Sequence, residues 1–361
     1  MTNPRRLDPY HEESESMNRT MIALACLAAL MLPPVALAQN DQIFGRTGTP
    51  TRGLITKISP TQVTMQSTGI SRDFDTKDIQ RLTFGDEPGE LRTARDRVAA
   101  GQFEDALEVL RSINVAGIEN NNIRAEIGFL TAYSMGQLAL TSGGDRAAAI
   151  TQMMSFMREN PNTYRYFEGV EMLGDLHFAS GEFEQAAKFY GLIGSRSPWP
   201  EYQLRAAVLQ GRSQAEAGNH EQALRNFERV LESGLSTSLA VEQKLHAAVG
   251  RAVCLAATGK AEEGIKVIQD LIAKNDPNDP EVFGHAYNAL GACYMQIGAT
   301  KEALLAYLHT DILYFTNTQA HPEALYHLAK LWDQVNRSDR AVRARSLLQS
   351  RYPASRWAAR L

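Results

Sequence analysis

The chain has 361 residues, 44% of them hydrophobic and 22% charged, and carries a formal net charge of −4. That length has room for more than one domain, and the composition is that of a soluble globular protein able to fill a core. The charge is small and spread along the chain, which excludes a basic stripe for phosphate backbones, so no nucleic-acid partner is expected.

Near the amino terminus, Met21 to Leu32 reads MIALACLAALML, with Arg19 before it and Pro33, Pro34 and Ala36-Leu37-Ala38 behind. A short apolar run closed by an Ala-x-Ala site is the pattern of a secretory signal, cut after Ala38. The run is shorter than the roughly 20 residues of a spanning helix. No stable membrane span is therefore expected after cleavage, with an uncleaved amino-terminal anchor as the alternative. Residues 1–16 are an acidic lead for a signal, which makes Met17 the expected start. Cys26 has Ala23 rather than leucine three residues before it and falls inside the removed segment.

Residues 39–50 are read as a linker and residues 51–85 as a small β module. Its pattern is short and alternating: RGLITKIS, TQVTMQ, ISRDFD and IQRLTF, separated by turn residues, which predicts four strands. Alternation places Leu54, Ile58, Val63, Met65, Ile70, Phe74, Leu82 and Phe84 on one buried face, in a curled sheet similar to an SH3-like or Sm-like module. Such a piece is too small to be stable alone and should pack on the rest of the chain or on another chain.

From residue 86 to 361 the period is helical. Gly101, Gly144, Gly181, Gly218, Gly259, Gly298 and Asn336 recur as helix-ending residues, and five positions after each stands Ala106, Ala149, Ala186, Ala223, Gly264, Ala303 or Ala341. Glycine or asparagine accepts the left-handed conformation that stops a helix, and a small residue lets the second helix of a hairpin lie close to the first. Larger residues follow four and seven positions later, as in Tyr190 and Ile193 or Phe227 and Val230, making one apolar face. The result is an internal repeat of seven hairpins.

These residues resemble the tetratricopeptide repeat. The third hairpin carries the pattern most fully, through Leu173, Gly174, Gly181, Phe183, Ala186, Tyr190 and Pro198, and the sixth through Leu290, Gly291, Tyr294, Gly298, Ala303 and Tyr307. The first, second and fifth depart from it at Ala94, Arg146 and Gly264, and the intervals exceed the usual repeat of about 34 residues. The ending Tyr352-Pro353-Ala354-Ser355-Arg356-Trp357-Ala358 is similar to that of repeat proteins of bacterial cell envelopes. The resemblance implies a right-handed α-solenoid whose first helices line a concave groove for a protein or peptide. In that groove it places Glu168, Glu171, Asp175, Arg205, Arg212, His246, His285, Asn288, Tyr326, Lys330 and Asp333. Glu171 and Asp175 stand where the carboxylate clamp of chaperone-binding members has lysine and asparagine, so a ligand of that type is not implied.

Cys254 and Cys293 occupy equivalent places in consecutive repeats, which raises the reading of a disulfide. Packed helix axes lie roughly 8–10 Å apart, and a disulfide wants α-carbons within about 7 Å, which favours two buried thiols. A metal site joining them to His246 and His285 fails on reach, because eight residues of helix span about 12 Å. The loop Asn275 to Pro280 lacks the glycine and distal glutamate of a calcium loop, and His321 and His327 have no ligand-type spacing. Nucleotide, nucleophile-elbow and zinc motifs are missing, so neither catalytic residues nor cofactors are expected. The expected protein is thus an exported, non-catalytic scaffold of the periplasm or cell envelope. The alternatives are a self-associating structural component that uses the β module, and an enzyme or enzyme subunit. Oligomeric state is not legible.

Overall fold

A computed structural model describes residues 41–361. The signal segment, Met17 and Cys26 lie outside the described residues. Five strands come first, β1 (Asp41–Gly45), β2 (Thr51–Ile58), β3 (Gln62–Ser67), β4 (Ile70–Asp75) and β5 (Ile79–Thr83), in the antiparallel order β4-β3-β2-β1-β5. The added strand, β1, falls in the segment read as a linker. It is held because Ile43 is buried and because Asp41 accepts the backbone N–H groups of Ile55 at 2.8 Å and Gly85 at 3.1 Å.

The expected inner face is corrected at two positions. Leu54 is 60% and Ile70 71% exposed, whereas Ile43 and Ile79 are buried beside Val63, Met65, Leu82 and Phe84. The cause at Leu54 is a register shift between Ile55 and Lys57 in the β2–β3 ladder. An extra residue in one strand inverts the alternation beyond it, so Gly53 and Ile55 turn inward before the bulge and Ile58 after it. Ile70 projects from the tip of the β3–β4 hairpin, next to the left-handed pair Thr68 and Gly69.

Seven hairpins follow. They are α1 (Gly89–Ala99) with α2 (Phe103–Ser112), α3 (Asn121–Thr141) with α4 (Arg146–Glu159), α5 (Tyr166–Ala179) with α6 (Phe183–Arg196), and α7 (Pro200–Glu216) with α8 (His220–Leu231). Then come α9 (Ser238–Ala257) with α10 (Ala261–Lys274), α11 (Pro280–Gln296) with α12 (Thr300–Leu313), and α13 (Ala320–Gln334) with α14 (Ser338–Arg351). Side-chain caps start several of them: Asn120, Asp145, Thr237 and Asp279 accept N–H groups of the first turns of α3, α4, α9 and α11. Such caps satisfy donors that the helix leaves free.

The first helices end in a left-handed residue, Gly101, Gly143, Gly181, Gly218, Gly259, Gly298 or Asn336. The paired bonds that close such an end are present, for example Gly181 N–H to Phe178 O at 3.0 Å and Glu182 N–H to His177 O at 2.9 Å. In the second hairpin the left-handed residue is Gly143, with φ +78°, and not Gly144. The seven small residues on the second helices, Ala106, Ala149, Ala186, Ala223, Gly264, Ala303 and Ala341, are all buried. In the Leu-Gly pairs the glycine makes room for an aromatic ring of the second helix: a Cβ on Gly174 would lie 2.4 Å from Tyr190, and one on Gly291 2.6 Å from Tyr307.

The sheet does not stand alone. Its inner residues share one apolar cluster with Leu91, Ala94, Leu110, Ile123, Ile127 and Phe129 of the first hairpins. A buried charge network fastens the junction. Glu126 on α3 receives Arg165 Nη2 at 2.9 Å, Arg95 Nε at 3.4 Å and the Tyr164 hydroxyl at 2.9 Å, while Arg95 also forks onto Glu87 at 2.7 and 3.0 Å. The two guanidinium groups outweigh burial and hold the Glu126 carboxyl below its ordinary range.

Candidate protein-binding groove

In the aligned repeats, the position thirteen residues before each left-handed turn holds Glu168 on α5, Arg205 on α7, His246 on α9, His285 on α11 and Glu323 on α13. These form one column across five first helices. The helices curve far enough for members of distant repeats to sense one another. The charge of Arg212 on α7 acts on Asp175, His246, His285 and Glu323, and Glu216 at the end of α7 acts on Glu323. Contact across the curve is direct, since Arg212 Nη2 donates to Gln319 Oε1, just before α13, at 3.3 Å. The concave side is therefore a polar lumen.

Several expected groove residues pair with one another. Glu168 accepts Arg165 Nη1 at 3.0 and 3.1 Å, and Glu171 accepts Arg205 Nε at 3.0 and 3.2 Å across a repeat boundary. The Tyr190 hydroxyl donates to Asp175 at 2.6 Å. Asn288 is buried, and its Nδ2 donates to the Ala320 carbonyl at 2.8 Å, tying α11 to α13. Lys330 Nζ donates to the Tyr326 hydroxyl and lies 4.3 Å from that ring's centroid. Asp333 pairs with Arg345 on α14, within its own hairpin.

What remains is a cluster with unmet bonding capacity. His285 Nε2 and Asn288 Oδ1 are enclosed atoms without a hydrogen-bond partner, and Arg212 makes no ion pair among the described residues. Enclosure by the curved stack governs the charges. Burial, reinforced by Arg212, lowers His246 to about 4, and the same causes with His246 and Arg356 hold His285 well below the ordinary histidine range. Burial raises Asp175 to about 6, helped by Glu171 and opposed by the hydroxyl of Tyr190. It raises Glu323 to about 7, helped by Glu216 and opposed by Arg356, Asn288 and Arg212. At neutral pH the imidazoles are uncharged, Asp175 is largely ionised and Glu323 keeps its proton about half the time, so the lumen sets the Arg212 cation beside neutral imidazoles and incompletely ionised carboxyls.

Glu323, Glu216, Gln319 and Arg356 were not among the expected groove residues. Glu323 was legible in principle, since it holds the column position in the seventh repeat. The others have no local signal. The two thiols are free and buried, with Cys254 raised to about 12 and Cys293 to about 11 by burial. They are not bonded to each other: Cys254 packs with Phe227 and Ala247, whereas Cys293 donates weakly to the Ala252 carbonyl at 3.7 Å. Among the described residues there is no group of three or more His, Cys, Asp and Glu that could hold a metal ion, and no helix is long and apolar enough to cross a membrane.

The fold and its concave face define an α-solenoid repeat protein. Residues 208–280 match the family model described as tetratricopeptide repeat. A tetratricopeptide repeat protein from Parabacteroides merdae has a similar structure, 16% identical, with 73% of this chain and 92% of that one covered at a TM-score of 0.55. The apo form of the quorum sensor NprR from B. thuringiensis is 14% identical, with 72% and 74% covered at a TM-score of 0.53. These are likenesses of fold. No curated protein matches the chain in sequence. The chain thus has the fold of tetratricopeptide-repeat proteins, with a match to the repeat itself over residues 208–280 and a five-stranded antiparallel sheet ahead of its helices.

Proposed function

We propose that the protein is a non-catalytic, exported scaffold that holds a segment of another protein in its lumen, within an assembly of the cell envelope. The observation that carries this reading is the gathering around Arg212 of side chains from four other repeats, with His285 Nε2 and Asn288 Oδ1 left without partners. A buried donor or acceptor without a partner is costly, and a bound backbone offers the missing groups. The signal-like segment before residue 39 and the envelope-type ending supply the export reading.

The test is binding to an array of arbitrary 15-residue peptides. Wild type should retain a subset that Arg212→Glu loses at least tenfold, while Lys188→Glu on the outer face of α6 leaves that subset intact. Equal retention by all three proteins removes the lumen from consideration. Cell fractionation tests export, with a cytosolic full-length chain as the contrary result. Self-association through the sheet is favoured by the exposed Leu54 and Ile70, and light scattering of a Leu54→Asp/Ile70→Asp variant checks it.

A further inference from the structure

The last ten residues of the chain do not continue the stack as a helix. After α14 they cross to the opposite wall of the coil and touch the second, third and fourth hairpins. Arg356 forks onto Glu216 with both Nη–Oε distances at 2.6 Å. Its guanidinium carbon lies 5.1 Å from the ring centroid of Phe178 at the end of α5, 5.6 Å from that of Phe183 at the start of α6, and 4.7 Å from that of Trp357. The Ala354 carbonyl accepts Arg146 of α4, and the Ala354 side chain lies beside the Gly143 turn, 3.7 Å from where a Cβ on Gly143 would stand. On the near wall Trp357 is buried against Tyr326 and His327, with ring centroids 5.1 and 5.5 Å apart, and the Tyr352 hydroxyl shares a 2.8 Å hydrogen bond with His321 Nδ1.

We propose that Tyr352–Leu361 is an intramolecular ligand: Arg356 fills an arginine site made by Phe178, Phe183 and Glu216, and so clasps the coil shut over the lumen. The chemistry of that site is specific. A planar guanidinium matches a carboxylate through two parallel hydrogen bonds and stacks on aromatic faces, which an ammonium does not do equally well. The far-wall attachment is also releasable. It has no apolar core of its own, since the buried Trp357 packs on the near wall, and a segment held by a few partly solvated contacts belongs to the part of a protein that opens first. Release would uncover the mouth between α7 and α13, where Arg212 meets Gln319. This last consequence rests on the lumen reading above, whereas the clasp itself does not.

The test uses the full chain in three forms, Arg356→Glu, Glu216→Arg and the double exchange, with far-ultraviolet dichroism to certify the helices. Hydrogen exchange by mass spectrometry reads the clasp at residues 352–361 and at the Gly143 turn. Each single variant should exchange at least about tenfold faster at both places, and the double exchange should recover part of the protection, because the paired charges are restored in reverse while a carboxylate at position 356 cannot replace the guanidinium on the rings of Phe178 and Phe183. Wild-type exchange in folded single variants, or no recovery in the double exchange, overturns the clasp. Protection that returns only on mixing the two single variants, with dimers by light scattering, also overturns it, because the tail then serves a second copy. Carbethoxylation of His285 by diethyl pyrocarbonate should be several-fold faster in Arg356→Glu, and the retained peptide subset should bind more tightly. Lost protection without any gain in peptide binding sustains the clasp and refutes the lumen reading.

Discussion

Replacing Gly250 with alanine inserts one methyl group where three helices meet. The ring of Phe227, on α8, is fully buried and stands between Gly211 on α7 and Gly250 on α9. A Cβ at position 250 would lie 2.3, 2.6 and 2.7 Å from three ring atoms, against about 3.5–4.0 Å for an ordinary carbon contact. The ring cannot retreat, because it is already too close for a Cβ on Gly211, at 2.7 Å. Alanine in a helix interior is worth about 1 kcal/mol over glycine, and overpacking of a tight core costs about 1–3 kcal/mol. A deficit of about 1 Å on three ring atoms at once places this site at the upper end, so the net expectation is a loss of about 1–2 kcal/mol. Phe227→Leu alone loses roughly 1–2 kcal/mol through the volume removed. The double variant should lose clearly less than the sum, since the smaller side chain makes room for the methyl. Urea titration followed by helical dichroism measures the cycle, and hydrogen exchange assigns the loss to α7, α8 and α9, as expected where stability is carried between neighbouring repeats. A gain of about 1 kcal/mol in Gly250→Ala, or strict additivity with Phe227→Leu, would refute the interlocking of repeats through this ring.

Glu126→Leu should cost about 3–5 kcal/mol, because Arg95 and Arg165 stay buried with one carboxylate fewer; a loss below 1 kcal/mol by thermal melting argues against the network as the fastener of the sheet. Burial lowers His246 and His327 to about 4, while unfolded histidine titrates near ~6.5. The unfolded chain thus binds more protons between those values, and stability falls as pH drops through that window, by at most ~3 kcal/mol per histidine. Glu323 acts with the opposite sign. Its native state keeps a proton up to about 7, so its contribution weakens as pH rises from the unfolded value toward 7. Glu323→Gln should therefore be more stable than wild type at pH 8 by about 1–3 kcal/mol and equal to it at pH 4.5; urea midpoints at both values decide, and parallel profiles reject the assignment. Cys254 and Cys293 should resist a thiol reagent in the folded chain and react together on unfolding, and prompt reaction of either contradicts their burial. Asn336→Gly should stabilise by about 0.5–1 kcal/mol, since Asn336 has φ +56° where the equivalent residues are glycine.

The hairpins were legible because their requirements are local and repeated: a left-handed stop at Gly181 or Gly218, and a small side chain five positions on at Ala186 or Ala223. The slip from Gly143 to Gly144 shows the limit of that reading, since two adjacent glycines satisfy the same local rule and only the helix ending at Thr141 chooses between them. Strand parity failed at Leu54 for a related reason. A bulge is decided by the partner strand, and nothing in TRGLITKI marks where it falls. The column was legible, since the position that holds Glu168 and Arg205 also holds Glu323. Pairing among these side chains was not legible, and neither was the ion pair of Asp333 with Arg345.

By itself, then, the order of residues determined which segments are helices, where they turn and which faces they bury, because backbone stops and close contacts act within one repeat. Only the tertiary structure decided how far the stack curves. That curvature brings Arg356 onto Glu216 from 140 positions away and gathers Arg212, His285 and Glu323 around one space. The angle between neighbouring hairpins is set by the packing of whole side-chain surfaces, and it accumulates over seven repeats into a closure that no short stretch of sequence records.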